Sequence, residues 1–461
     1  MHQDKTISVL KMFSIAVLTM AFFSCRKYVE DVPVQGQRVL VYTNDYRLLM
    51  NNINDSGIGC GLPAILGSDD ISFNDPAVQQ DVAFDPTRVA AYTWRKPFYT
   101  DKTDDFDWNT MYKALYTFNT VIAGVLESKG GTPDERNAIY AEGLIQRAFT
   151  YFTLVNSYSK QYDQATADQD PGVPLLLEAK LFVNLKRATV AEVYTQILKD
   201  LEIAILLIPI NQVNSVKPNR AAAYALLAKV YLNMRRYESA LDAAEKSTAL
   251  FGELTDYNQF ITVAFPNLLQ NKEVLLRKVP RISYGALQLS NDLLTLLGTK
   301  DLRYTLFTRP GNATNFYPNF SGRGFFAGAG VDPASVGLTT SDTWLIRAEC
   351  LARLGQTDAA VKILNDLRKF RFKPADLISL AAANSQQALQ LVIDERRREF
   401  FGTGFRWFDQ KRLNKDALFA KPFIREFAGQ TYTLLPNSNG YVFPFSSIIV
   451  NQNPEIIQNP E

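Results

Sequence analysis

Downstream of residue 107, apolar residues recur at three- and four-residue spacing, which predicts a succession of amphipathic helices. Trp108, Met111, Tyr112, Leu115, Phe118, Asn119 and Ile122 fall on one face, and Gly130-Gly131 stops the run. Thr132 then opens a second helix, with Glu135 at the capping-box position. Ile139, Tyr140, Leu144, Ala148, Tyr151, Phe152 and Val155 carry it to about Ser159, where a loop through Pro171-Gly172 begins. Thr189 and Glu192 start the next helix in the same way, and Pro209 ends it beyond Leu207. Arg220–Asn233 with Tyr237–Leu250 reads as a helical hairpin, and Ser341–Leu354 with Asp358–Phe370 as another. Upstream, residues 38–105 mix β-prone segments (Val39–Tyr42, Val89–Trp94) with Gly and Asp turns. One helix is expected there, at Asn44–Asn52.

The two hairpins align with each other. Ala228-Lys229-Val230-Tyr231-Leu232 matches Ala348-Glu349-Cys350-Leu351-Ala352, and Tyr237-Glu238-Ser239-Ala240-Leu241 matches Thr357-Asp358-Ala359-Ala360-Val361. This small-large pattern resembles the tetratricopeptide repeat. One such hairpin cannot bury its apolar face alone, so neighbours must stack. Helices at 107–159, 189–252, 341–370 and 385–413 would supply the pairs. The insertion 255–340, rich in Gly, Asn, Pro and aromatic residues, is expected outside the stack as irregular structure or small sheets. The predicted fold is mainly α, with tetratricopeptide-like helical repeat pairs, loop-rich insertions and minor β, in one domain spanning 38–461.

The first residues carry a different pattern. Lys5 and Lys11 precede an apolar run, Met12 to Phe23, broken only by Ser14 and Thr19. A membrane-spanning helix needs about 20 such residues, so the run reads as a removable signal over residues 1–24. Ser24 before Cys25 resembles the lipobox of bacterial lipoproteins, in which the cysteine becomes the acylated N-terminus. The alternative is an ordinary secretory signal, with Cys25 a plain thiol. Residues 25–37, with Pro33 and Gly36, read as a tether. The most apolar later stretch, Leu201–Ile210, contains Glu202 and Pro209 and does not read as a span. Attachment would then come from acyl chains, at about 0.8 kcal/mol per buried methylene, and stable anchoring takes more than one chain.

Composition narrows the chemistry. With 47% hydrophobic and 21% charged residues, a packed core is expected. A formal net charge of +2 gives no global field for nucleic acid, and no nucleic-acid partner is expected. The one histidine, His2, lies in the leader. Its loss excludes Ser-His-Asp and Cys-His catalysis and every His-ligated metal site. Carboxylate-only chemistry, as in glycoside hydrolysis, survives this filter. Cys60 and Cys350 are too few for a zinc ribbon or a disulfide framework; they form one bridge or remain isolated thiols. Asp105-x-Asp107-x-Asn109 begins like a calcium loop, but Thr110 stands where Gly is needed and Tyr116 where the closing Glu would be. The cluster Asp101, Asp104, Asp105 and Asp107 therefore reads as helix capping. No cofactor and no metal are expected. The run Glu395–Arg412 reads as a structural corner held by charge pairs, with Gly402 and Gly404 allowing a break between two helices.

Several stretches, in order along the chain, resemble the SusD/RagB family of outer-membrane nutrient-binding lipoproteins. They are Asp45-Tyr46 with Leu48-Leu49; Arg147-Ala148-Phe149-Thr150-Tyr151-Phe152; Gly172-Val173-Pro174-Leu175; and Thr189-Val190 with Glu192-Val193-Tyr194 and Asp200-Leu201-Glu202. The most specific is Glu395-Arg396, Glu399-Phe400, Gly402, Gly404, Arg406-Trp407, Asp409 and Lys411-Arg412, followed by a tail with Phe443-Pro444 and Asn459-Pro460. The resemblance implies a helical fold and a non-enzymatic role. Such a protein binds an oligomeric nutrient, most often an oligosaccharide, and delivers it to a SusC-like TonB-dependent outer-membrane channel. It also implies a palmitate-bearing Cys25 and display on the outer membrane. Arg26-Lys27 stand where the family's surface-export signal favours acidic residues.

Sugar rings bind on aromatic faces, so aromatic residues on turn-rich segments are the candidate ligand residues. Tyr92, Trp94, Phe98 and Tyr99 form one such group, and Tyr317 and Phe320, with Asn315 and Asn319, a second. Trp108, Trp344 and Trp407 sit on helical patterns and read as core. The alternatives are peptide cargo, a surface glycosidase using two carboxylates, and a helical-repeat scaffold for other proteins.

Overall fold

The computed structural model describes residues 39–52, 57–211, 214–280, 287–313, 316–326 and 335–460. The predicted leader, Cys25, the tether and Asn315 lie outside these residues. Among those described are sixteen α-helices, with four two-stranded sheets. In chain order the helices begin with α1 (Thr43–Met50), α2 (Leu62–Gly67), α3 (Pro76–Ala83), α4 (Pro86–Thr93), α5 (Phe106–Gly124) and α6 (Pro133–Tyr158). The antiparallel strands β1 (Pro171–Pro174) and β2 (Arg187–Thr189) precede α7 (Val190–Leu207), α8 (Arg220–Asn233) and α9 (Tyr237–Leu250). The insertion holds β3 (Val274–Leu276), α10 (Asn291–Leu297), α11 (Leu302–Phe307), β4 (Thr308–Pro310), β5 (Arg323–Phe325) and β6 (Leu338–Thr339). The chain ends through α12 (Thr340–Arg353), α13 (Thr357–Arg368), α14 (Ser385–Phe400), α15 (Phe405–Leu413), the hairpin β7–β8 (Phe423–Phe427, Gln430–Leu434) and α16 (Ser447–Gln452).

Helices α5 to α9 stack each on the next, and α9 then packs directly on α12, which carries α13 and α14. Small residues permit the close approach. Ala221, Ala222, Ala225, Ala228, Ala240, Ala244, Ala348 and Ala360 are all buried, and Ser247 Oγ donates to Ala221 O across the α8–α9 pair at 2.8 Å. Both predicted capping boxes are present, at Thr132/Glu135 and Thr189/Glu192. Asp105 caps α5, its Oδ1 accepting from Trp108 N at 3.0 Å.

Two expectations change. Three short helices, α2 to α4, lie within residues 57–105 where β-prone segments are expected, and Val89–Thr93 belong to α4. The reason lies in the caps. Asp85 accepts from Thr87 N and Arg88 N with Pro86 at the first helical position, and Asp75-Pro76 starts α3 likewise. A cap plus a preset proline φ outweighs the weak strand preference of Val and Tyr. The insertion, in turn, does not lie wholly outside the stack: its two ends, β3 and β6, pair with each other and pack on α8. Val274-Leu275-Leu276 is an unbroken apolar run and is fully buried.

The α14–α15 turn is the predicted corner. Gly402 and Gly404 adopt φ of 73° and 86°, a region that favours glycine. A Cβ on Gly404 would meet Cys60 Sγ at 2.8 Å. Phe400, Phe401, Phe405 and Trp407 are buried around the turn. Glu395 pairs with Arg398, as expected, and also with Arg303 and Arg368. Cys60 and Cys350 are separate, buried thiols. Among the described residues no helix is long and apolar enough to cross a membrane.

Candidate ligand-binding site

The predicted aromatic residues occupy unlike places. Tyr92 is buried; its hydroxyl accepts from Phe73 N at 2.9 Å and its ring packs on Phe73. Phe98 is buried against Phe443, and Phe320 against Phe316. None of these three rings offers a face to solvent, because each completes the packing of a neighbouring loop. Trp94 is half-buried in the left-handed conformation that ends α4. Its Nε1 donates to Gly67 O at 2.9 Å, and the Arg425 guanidinium lies 4.4 Å from its ring. Tyr99 is half-buried; burial and the carboxylates of Asp105 and Asp107 push its hydroxyl well above the usual tyrosine range. Tyr317 alone of the six is open, 86% exposed. The 72–75 loop links the two groups: Phe73 meets Tyr92, and Asp75 Oδ2 accepts from Ser321 N at 2.9 Å.

Tyr317 lies in the outer turn of the β4–β5 hairpin. The base of that hairpin lines an aromatic cleft of about 120 Å³. Phe307 comes from the end of α11, Phe325 from the hairpin, Tyr257 and Phe265 from the segment after α9, and Phe401 and Thr403 from the glycine corner. The rings meet edge to face: Tyr257–Phe265 at 5.1 Å, Phe265–Phe307 at 4.9 Å and Phe325–Phe401 at 5.6 Å. A Cβ on Gly402 would collide with the Phe325 ring at 2.7 Å, so that glycine sets the cleft's width.

The floor is charged but internally neutralised. Arg371, fully buried, donates to Glu273 at 2.9 Å and to Glu399 at 2.7 Å, and its guanidinium stacks 3.9 Å from Tyr257. Arg303 adds a bond to Glu399 at 2.7 Å. Burial pushes Glu399 up, but Arg371 and Arg303 together hold it below the usual carboxylate range. Glu273 is raised, burial outweighing Arg371. Asn267 and Asn271 line the cleft and use their side-chain oxygens locally: Asn267 accepts from Leu269 N, Asn271 from Thr255 Oγ1. Their NH2 groups remain available as donors. The arrangement offers aromatic faces and neutral donors to a ligand, with no spare charge.

No local sequence pattern marks Tyr257, Phe265, Phe307 or Phe325. The usable signal was the concentration of aromatic residues in the insertion, with the Phe265-Pro266-Asn267 turn at one edge.

Residues 75–232 match a SusD-like family described as starch-binding and associating with the outer membrane, and residues 339–461 match the SusD family. A solved SusD superfamily protein of Bacteroides thetaiotaomicron superposes with a TM-score of 0.75 at 21% identity, covering 91% of this chain and 100% of that one. A SusD-like carbohydrate-binding protein of Bacteroides vulgatus gives 0.65 at 19% identity, over 90% of this chain and 97% of that one. At these identities the likeness is one of fold. A SusD-like protein of Formosa agariphila is 32% identical over 80 residues, a stretch that spans 16% of this chain and 16% of that protein's length.

Proposed function

The chain belongs to the SusD/RagB family, and on that premise we propose that it captures a neutral oligosaccharide and passes it to a SusC-like TonB-dependent channel. Acyl chains on Cys25 hold it to the outer membrane, facing outward. The cleft beside the glycine corner receives the sugar, and Tyr317 extends the contact beyond it. The observation that carries this reading is the cleft's chemistry: rings on its walls, amide donors at its edge, and carboxylates already matched to arginines. Apolar walls with a few placed polar groups are the usual form of a small-ligand site.

The protein binds without transforming. Glu273 and Glu399 both line the cleft, where a glycosidase would need one carboxyl free to give a proton and another free to attack. Here both grip Arg371. Titration calorimetry with candidate glycans tests the proposal, using wild type and Phe265→Ala. Phe265→Ala is expected to weaken glycan binding by about tenfold, the order of one aromatic contact, with a cooperative melt retained. Equal affinity in the two proteins would remove the cleft from the site. Retention of peptides in place of glycans would favour peptide cargo, and release of shortened glycan would overturn the binding-only reading.

A further inference from the structure

We propose that the aromatic cleft reads acetylation: it takes the acetyl group of an N- or O-acetylated sugar, while the sugar ring stays at the mouth. The inference deepens the sugar-binding reading of that cleft and rests on it.

Size comes first. An apolar cavity of about 150 Å³ holds one benzene molecule. The cleft offers about 120 Å³, and a hexose ring with its hydroxyls is much bulkier than benzene. Only a substituent therefore enters fully. The walls decide its kind. Phe265, Phe307 and Phe325 line the cleft as half-buried rings, and Val274, Phe401 and Phe405 line it as buried side chains. A hydroxyl pressed on such surfaces loses its water and gains no partner, whereas a methyl group gains by leaving water.

The polar groups narrow the choice. Asn267 Oδ1 accepts from Leu269 N at 3.0 Å and Gln270 N at 3.1 Å, and Asn271 Oδ1 accepts from Glu273 N at 3.0 Å. A backbone N–H can only donate, so these bonds fix which end of each amide is the oxygen. What each side chain has left is its NH2 group, a donor. Both residues are half-buried, and neither NH2 group is sealed from solvent. The hydroxyls at the cleft are already engaged. Thr403 Oγ1 donates to Phe400 O at 2.6 Å and accepts from Phe405 N at 3.3 Å, and Thr339 Oγ1 and Ser341 Oγ share a bond of 3.1 Å.

Charge completes the selection. Among the described residues the lining includes Glu273 and Glu399 and no lysine or arginine. An anionic substituent would meet two carboxylates and no cation, and both carboxylates already accept from Arg371. The cleft therefore suits a neutral group that carries a methyl and an acceptor. Acetyl has both: the methyl lies against the rings, and the carbonyl oxygen accepts from an asparagine NH2.

Saturation-transfer NMR on the mature chain is the test. The methyl glycoside of N-acetylglucosamine and methyl 6-O-acetylglucoside are each compared with methyl glucoside. At least one acetylated probe is expected to bind about tenfold tighter than methyl glucoside, the order of one buried methyl plus one hydrogen bond, with the strongest saturation on the acetyl methyl. The tighter of the two tells amide from ester. Asn267→Asp and Asn271→Asp keep the accepting oxygen and replace the NH2 group. At least one of them is expected to erase the preference, with a melting temperature near that of wild type. Equal affinity for acetylated and plain probes overturns the inference; if Phe265→Ala then weakens both alike, the cleft still binds sugar and the proposed function stands. A preference that survives both asparagine variants and Phe265→Ala places acetyl recognition elsewhere and overturns the inference too. If no acetylated probe binds while calorimetry still detects a glycan, this inference alone fails; if neither experiment detects a sugar, both fail.

Discussion

Glu349→Gln tests whether the charges buried between α12 and α15 hold the helices together. The Glu349 carboxylate is fully buried on α12. It accepts from Arg412 at 2.6 and 2.7 Å and from Arg353 at 2.9 Å. Burial alone would push the carboxyl up; Arg412 and Arg353 outweigh it and hold it at about 2, against an ordinary 4.5. At about 1.4 kcal/mol for each tenfold change, that gap corresponds to about 3 kcal/mol of folding stability. The group is depressed in the folded state, so its contribution is complete above pH 4.5 and fades as pH falls toward 2. Glutamine keeps the shape and removes the charge, leaving two buried guanidiniums facing a neutral amide. Losing one partner of a buried pair costs roughly 3–5 kcal/mol, which agrees with the titration figure. Urea unfolding of wild type and variant at pH 7, 4 and 3 is the assay. The difference between them is expected to be about 3 kcal/mol at pH 7 and to shrink to about 1.4 kcal/mol at pH 3. A difference below about 1 kcal/mol at pH 7, or one that stays constant on acidification, would refute the reasoning.

Tyr317→Ala should lower glycan affinity about three- to tenfold, the scale of one aromatic contact, with an unchanged melt, because the ring is open to solvent; calorimetry and thermal denaturation read the two quantities separately. Trp94→Ala should cost about 2–3 kcal/mol of stability, since the indole bonds Gly67 and covers Arg425; a melting temperature equal to wild type would show that the indole does not support the fold. Cys25→Ser should abolish incorporation of labelled palmitate and release the protein from the membrane fraction. Cys60 and Cys350 are both buried, so label that persists in the variant would remove Cys25 as the anchor.

The long helices were legible because their signals are local. Thr132 with Glu135, and Thr189 with Glu192, make in the structure the bonds their spacing predicts. Helices α2 to α4 span 6, 8 and 8 residues, too few for an apolar period to stand out. Their signal lay in the Asp-Pro starts at Asp75 and Asp85. The corner at Gly402 was readable from its glycines and its mixed charges, but its partners were not. Asp69, Arg303, Asp342 and Glu349 reach it from distant segments, and no local pattern records such pairings. The same limit governs the candidate rings. Tyr92, Phe98 and Trp94 look alike in sequence, and only the fold decides that Tyr92 and Phe98 are covered while Trp94 keeps part of its surface.

Arg371 ties the stability of this chain to the shape of its cleft. Its guanidinium stacks on Tyr257, a wall of the cleft, while its nitrogens hold Glu273 and Glu399 on the floor and donate to Thr255 O beside them. Glu399 sits on α14, one residue before Phe400 and three before Gly402. One buried cation therefore connects the insertion, which brings Tyr257 and Glu273, to the corner, which brings Phe401 and Thr403. Breaking it would leave Glu273 without its cation and Glu399 with Arg303 alone, so the same pairing that stabilises the fold resists distortion of the cleft. A site whose walls are fixed before the ligand arrives has less ordering entropy to lose on binding. Both carboxylates are committed to this role, and under the proposed function the floor would therefore position a sugar without cleaving it.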